Sequence, residues 1–336
     1  MAAITPVPAA GANRSAAAPD EQTLSLEQVA DLFDQWLLGP HATEGLDDRE
    51  KRLARRLDRL LRRATNTHLS LPHLPSVVPQ LIHKMNDPGS SARQVAEIVR
   101  RDPAITAEVL RVANSAYYQP AAGPIGSIDY AIVHIGYEGM RTAVCGIAMK
   151  PMLMVNLPGL PDFGQRVWAH APQCANACRV FALRADTESF AAYLLGLLSN
   201  SGRILVFQHS LPFLIENQVP RESMRKLLRV LMRRNGGLMT HAALTQWGLP
   251  DDYRQAAKTK DPLLAPVPDN PLANSVQRGV LVGTLQVLLG ARMVEYAAGS
   301  RLLSSLDVPA GLIQRLIPPP APPDEPEPHR NQSLRR

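Results

Sequence analysis

Residues 95–118 read VAEIVRRDPAITAEVLRVANSAYY, and the class of fold turns on them. Their apolar residues fall at helical rather than alternating spacing. Asp102-Pro103 divides the stretch in two. Proline is welcome in the first turn of a helix, where its missing N–H has no partner to lose. The stretch therefore predicts two helices, the first capped by Ser90 or Ser91 and the second opening at Pro103.

The same punctuation continues on both sides. Upstream, LPHLPSVVPQLIHKMNDPGSS (71–91) gives a double Leu-Pro entry, then a short helix stopped by Asn86-Asp87-Pro88-Gly89. Downstream, GPIGSIDYAIVHIGYEGMRTAVCGIAMKPML (123–153) gives a short helix, a break at Gly136 and a longer apolar helix. Further helices are expected over 164–184, 187–209, 221–234, 237–247, 250–258, 271–298 and 308–316. At the other end, Leu26, Val29, Leu32, Phe33, Trp36 and Leu37 form a helical stripe over 24–38, with Ser25 placed to cap it. No strand pattern and no internal repeat emerges. The prediction is an all-α fold.

Composition bounds the rest. The chain has 336 residues, of which 45% are hydrophobic and 5% aromatic, so Leu, Ala and Val must fill most of a sizeable core. The 30 prolines cluster near the two ends and in loops. This predicts a disordered N-terminus over 1–22, a helical extension over 23–66, the main domain over 67–265, C-terminal helices packing on it over 266–317, and a Pro-rich, extended tail over 318–336. Three cysteines are too few for a disulfide framework and fit reduced thiols. No run approaches the ~20 apolar residues of a membrane span, and the start carries no secretory pattern. A soluble chain of the cytoplasm is expected.

The formal charge of +6 is modest for this length. It is unevenly placed. In DDREKRLARRLDRLLRR (47–63), Leu53, Leu57, Leu60 and Leu61 share one helical face, and Arg52, Arg55, Arg56, Arg59, Arg62 and Arg63 lie mostly on the other. RESMRKLLRVLMRRN (221–235) makes a second basic patch. Neither interleaves aromatic residues, so base stacking is not indicated; a solvated face or an acidic protein partner fits better than nucleic acid.

In combination, LPHLPSVVPQLIHKMNDP, VAEIVRRDPAITAEVLRVANSAYY and PIGSIDYAIVHIGYEGMRTAVCGIAM resemble the HDOD domain, a bacterial signalling module related to the HD phosphohydrolases. VWAHAPQCANACRVFA, AAYLLGLLSNSGRILV and LTQWGLPDDYRQAA continue the likeness, over roughly 69–257. The resemblance implies an all-helical domain and a signalling role. It also implies where a metal would sit. Catalytic HD proteins carry a His-Asp pair where this chain has Ser199-Asn200. His170 matches the family's first His, Gly236 stands where relatives carry another, and Lys260-Asp261 fall in the register of a His-His pair. A hydrolytic metal needs imidazoles and carboxylates converging on an open coordination position. Serine, asparagine and glycine cannot supply that set, and a lone His does not hold a catalytic ion.

The break at Ser199-Asn200-Ser201-Gly202 has two readings, a rebuilt polar pocket or a helix junction with Gly202 easing close packing. The junction is preferred. His170, Cys174 and Cys178 recur every four residues. A metal held by the first two is conceivable, but buried thiols and a satisfied core His fit better, and Pro172 is a candidate break within the span. Ser115, Tyr117 and Tyr118 follow a family signature and are read as structural.

The sequence therefore predicts a catalytically inert HDOD-type regulator with no cofactor, acting on a protein partner in a bacterial signalling pathway. The alternatives are a metal-dependent phosphohydrolase with relocated ligands such as His170, His209 and His241, and a binder of nucleic acid or anionic surfaces.

Overall fold

The structure, a computed structural model, describes residues 24–40, 43–66, 69–72, 74–85, 92–115, 123–258 and 261–319. The expected disorder over 1–22, most of the tail, the Ser90 or Ser91 cap, Tyr117, Tyr118 and Lys260 lie outside the described residues. The helices are α1 (Leu26–Leu38), α2 (Asp48–Asn66), α3 (Val77–Met85), α4 (Ala92–Arg100), α5 (Pro103–Ala113), α6 (Ile128–Leu153) and α7 (Phe163–Arg184). They continue with α8 (Ser189–Leu197), α9 (Ser201–Glu216), α10 (Arg221–Gln246), α11 (Asp251–Ala256), α12 (Pro271–Gly290), α13 (Tyr296–Ser305) and α14 (Ala310–Leu316). Among the described residues there is no strand, only a lone bridge between Leu157 and Leu160.

Local chemistry explains most helix starts. Ser25 and Gln28 form a reciprocal capping box on α1, and Asp47 and Glu50 exchange the same pair of bonds on α2, at 2.9 and 2.7 Å. Asp102 Oδ1 accepts from Ala104 and Ile105 N–H ahead of α5. Gly136 bends α6 at φ +79°, a backbone region open to glycine. Pro172 does not break α7.

Three expected boundaries are corrected. The helix over 187–209 is two helices, α8 and α9, joined at Leu198–Asn200, and the second runs on to Glu216. Conversely, 221–234 and 237–247 are one helix, α10. Gly236 does not end it; a Cβ built on Gly202 of α9 would lie 1.9 Å from the Gly236 carbonyl oxygen, so the two backbones cross in contact there. The helix over 271–298 stops at Gly290, where Arg292 takes φ +56° and its N–H and that of Met293 close the helix end on Leu289 and Leu288.

Helices α7, α8 and α12 form the centre. Their approach depends on small residues. A Cβ on Gly279 would meet Cys178 N at 2.3 Å, and one on Gly283 would meet Cys174 N at 2.6 Å. The cysteines are thus small apolar residues at a helix seam. Helix α2 lies on α9 and α10 through Ala54, Leu57 and Leu61. Leu60, expected on that face, is instead 44% exposed.

Helix α1 is no appendage. Val29, Phe33, Leu37 and Leu38 are fully buried in the common core; burying each is worth about 1.5–3 kcal/mol. Ser189–Glu216 is apolar and long enough to cross a membrane by composition, but 94% of its apolar window is buried and the stretch is bent into α8 and α9. It serves as core.

Candidate functional site

The site lies where α7, the α8–α9 junction, α10 and α12 meet beneath α1. His170 points inward from α7 and is fully buried. Asn200 Nδ2 donates to its Nδ1 at 2.7 Å. That leaves the proton on Nε2, which donates to Thr284 Oγ1 at 3.0 Å. Thr284 in turn donates to the Val280 carbonyl at 2.8 Å. The Cys174 sulfur lies 3.1 Å from Nε2, and the Phe33 ring packs against the imidazole with centroids 4.5 Å apart. Both ring nitrogens are engaged, one accepting and one donating. Burial, helped by the Arg203 charge, pushes the imidazole pKa down to about 3. His170 is a neutral core histidine.

Asn200 and Ser201 are buried, and Ser199 is largely so. Ser201 Oγ donates to the Leu198 carbonyl at 2.7 Å, and Gly202 N–H donates to Thr240 Oγ1 at 3.1 Å. Ser199 faces the Cys174 thiol. The break in the apolar run is therefore a helix junction, and its asparagine holds His170.

Beside the junction lies a cavity of about 650 Å³. Ser199, Gly236 and Asp261 line it together, and Arg203 joins them. Arg203 is the residue the sequence reading missed. Its Nη1 donates to Asp34 at 3.0 Å and its Nη2 lies 3.8 Å from Asp261 Oδ2. Its guanidinium also sits over the Phe33 ring at 5.2 Å. Asp34, fully buried, takes a second arginine, Arg233, at 2.6 Å. A signal was present in both cases. Arg203 is the one charged residue between Glu188 and His209, and Asp34 occupies a buried position among Ala30, Phe33 and Leu37.

These residues do not suit a hydrolytic metal. Two carboxylates reach the site, and both face a fixed guanidinium. Its one histidine has no free lone pair. Among the described residues no three His, Cys, Asp or Glu side chains converge as a ligand group. His241 Nδ1 instead contacts the Arg254 carbonyl at 3.1 Å, and His209 is half-buried on α9.

The two basic patches differ. On α2, Arg52, Arg55, Arg56, Arg59, Arg62 and Arg63 are all exposed. Arg56 stacks over Phe213 at 5.1 Å and Arg62 pairs with Asp58 at 2.9 Å. The patch expected over 221–235 is free only in part, with Arg221 and Arg234 exposed. Arg229 and Arg233 bind Asp31 and Asp34 of α1, and Lys226 binds Glu50 of α2 at 2.9 Å. Ser115 closes the end of α5, while Asn114 ties that end to Ile125 through bonds of 2.7 and 2.9 Å.

Residues 71–262 match the family model described as the HDOD domain. Similar solved structures include an HDOD domain protein with unknown function from Geobacter sulfurreducens, at 21% identity, covering 78% of this chain and 89% of that one, with a TM-score of 0.54. A candidate metal-dependent phosphohydrolase from Shewanella amazonensis is 23% identical over 69% of this chain and 82% of its own, TM-score 0.51. A candidate signal transduction protein from Marinobacter aquaeolei is 20% identical over 82% and 63%, TM-score 0.51. At these identities the likeness is one of fold. No curated protein matches the chain.

Proposed function

Because this chain belongs to the HDOD domain family, we propose that it is a non-catalytic signal-transduction module of the bacterial cytoplasm that works by contact with a protein partner. The observation that carries this reading is the Arg203 guanidinium held between Asp34 and Asp261. A divalent cation at this place would need those carboxylates, and the arginine already supplies the positive charge that balances them. His170 adds to the case, since ligation would require breaking its bond with Asn200 or losing the proton shared with Thr284. Hydrolysis by a relocated set of His170, His209 and His241 finds no support in their separate surroundings.

The partner surface that fits best is the exposed arginine face of α2, which suits an acidic protein. It would act through charge pairing at an interface rim rather than through buried aromatic anchors.

The test is metal analysis of protein purified without chelators, beside assays of phosphomonoester and phosphodiester hydrolysis. Substoichiometric metal and no turnover are expected. Stoichiometric iron, manganese or zinc that disappears in His170→Ala would sink the reading. For the surface, Arg55→Glu, Arg56→Glu and Arg59→Glu should abolish partner capture from the native organism. Point variants are preferable to removing residues 1–66, because Val29, Phe33, Leu57 and Leu61 belong to the core. The same variants test binding to nucleic acid or anionic vesicles. If those bind wild type with a steep salt slope that the variants lose, the arginine face serves a polyanion instead.

A further inference from the structure

Between α5–α6 on one side and α7 with α14 on the other runs a groove of about 960 Å³, separate from the cavity beside Arg203. Trp168 and Pro172 form part of its apolar wall, and Arg111, Lys150, Arg179 and Arg315 line it. Its two acids are already engaged: Glu108 holds Arg111 at 2.6 Å, and Asp102 caps α5. Lys150 lies over the Trp168 ring at 5.7 Å. Arg179 and Arg315 make no ion pair among the described residues. The groove thus offers an aromatic wall, two arginines with no carboxylate of their own, and Lys150, whose charge also acts on Glu108.

The chain reaches the rim of this groove at the end of α14. Arg315 and Leu316 line it, and Gln286 Nε2 fixes the Leu316 carbonyl at 2.6 Å. The sequence that follows is PPPAPPDEPEP, 318–328. It carries three acids, Asp324, Glu325 and Glu327, within a proline-rich run. Such a run favours the polyproline II helix, which docks on aromatic walls with little entropy left to lose. Asp324 follows Arg315 by nine positions, a reach of up to about 28 Å at roughly 3.1 Å per residue. A tethered segment meets its site at an effective concentration on the order of millimolar, so weak contacts suffice.

We propose that this groove is the docking site of the chain's own proline-rich acidic segment, residues 320–328, with its acids on Lys150, Arg179 and Arg315 and its prolines against Trp168. The proposal is independent of whether the Arg203 site is catalytic. A partner that uses the groove must displace the segment first, which makes the segment an intramolecular competitor.

The experiment is disulfide trapping in the full chain. The three native thiols are buried, so introduced cysteines react selectively. Gln173→Cys on the groove is combined with Pro326→Cys in the tail, and the control pairs Arg55→Cys on α2 with Pro326→Cys. Under oxidised glutathione the groove pair should close within one chain about tenfold faster than the control, as a raised effective concentration requires. Asp324→Lys, Glu325→Lys and Glu327→Lys together should reduce it to the control rate. Adding Lys150→Glu, Arg179→Glu and Arg315→Glu should restore it. Equal rates for the two pairs, indifference to charge reversal, or a disulfide between two chains, which would mark a second copy as the occupant, would each overturn the proposal.

Discussion

Arg203 of α9 donates to Asp34 of α1 at 3.0 Å, across 169 residues of sequence, with both side chains buried. The bond closes the site from above and joins α1 to the helices that form it. Removing one member of a buried pair leaves the other as an uncompensated charge. Asp34→Ala should therefore lower stability by about 3–5 kcal/mol in urea unfolding. Asp34→Leu combined with Arg203→Met should recover part of that loss, because Arg233 keeps Asp31 as a partner while the buried Asp261 loses its arginine. Strictly additive losses in Asp34→Leu, Arg203→Met and the double variant would show that the pair is not coupled.

His170 predicts a pH dependence. Its folded pKa, about 3, lies below the ordinary value of 6.5. The unfolded chain therefore binds a proton that the folded chain refuses as pH falls through 6.5. The stabilisation is complete above that pH and declines toward pH 3, by at most about 1.4 kcal/mol per pH unit. Urea unfolding between pH 7.5 and 4.5 should show this slope, and His170→Gln should reduce it. An unchanged slope in the variant would mean that His170 titrates normally.

At the crossing of α9 and α10, Gly202→Ala forces a Cβ to 1.9 Å from the Gly236 carbonyl oxygen and 2.5 Å from Thr240 Oγ1. Backbone must move, and a loss of about 1–3 kcal/mol or more is expected. Gly290→Ala, with nothing within 4 Å of the added carbon, should stay within about 0.5 kcal/mol of wild type. Equal thermal shifts in the two variants would contradict the close approach.

The thiols should be silent in the folded protein. Burial pushes Cys145 up to about 12 and raises Cys174 and Cys178 well above the ordinary thiol value, and Cys178 further donates to the Val276 carbonyl at 3.3 Å. Alkylation with iodoacetamide at pH 8 should label none of the three until urea unfolds the chain. Rapid labelling of Cys174 in the native state would show that the α7–α12 seam opens.

The capping residues and glycine breaks were legible because their effects are confined to a turn or two of chain. Ser25, Asp102 with Pro103, and Gly136 each act where they are expected to act, and Gln28 completes the cap at Ser25. The break expected between 234 and 237 does not occur; α10 runs through Gly236, where another helix's backbone rests. In the second basic patch the pairing of Lys226, Arg229 and Arg233 was not legible, because their partners, Asp31, Asp34 and Glu50, lie far away in sequence on α1 and α2.

The candidate site divides along the same line. The family resemblance pointed to His170, Ser199, Asn200, Gly236 and Asp261; in the structure Ser199, Gly236 and Asp261 line one cavity and Asn200 bonds His170. Periodicity could not say that Asn200 holds one nitrogen of His170 while Thr284, 114 residues from that histidine, accepts from the other. Nor could it place Arg203 between Asp34 and Asp261.

By itself the sequence determined the helical class, most helix starts and the match to the HDOD family over 71–262. Hydrophobic period and caps act over a few residues, so they survive without a fold. The tertiary structure alone decided that α1 closes the site and that an arginine stands among its carboxylates. Both depend on burial. A charge becomes costly, and its partner obligatory, only after packing has removed the water around it.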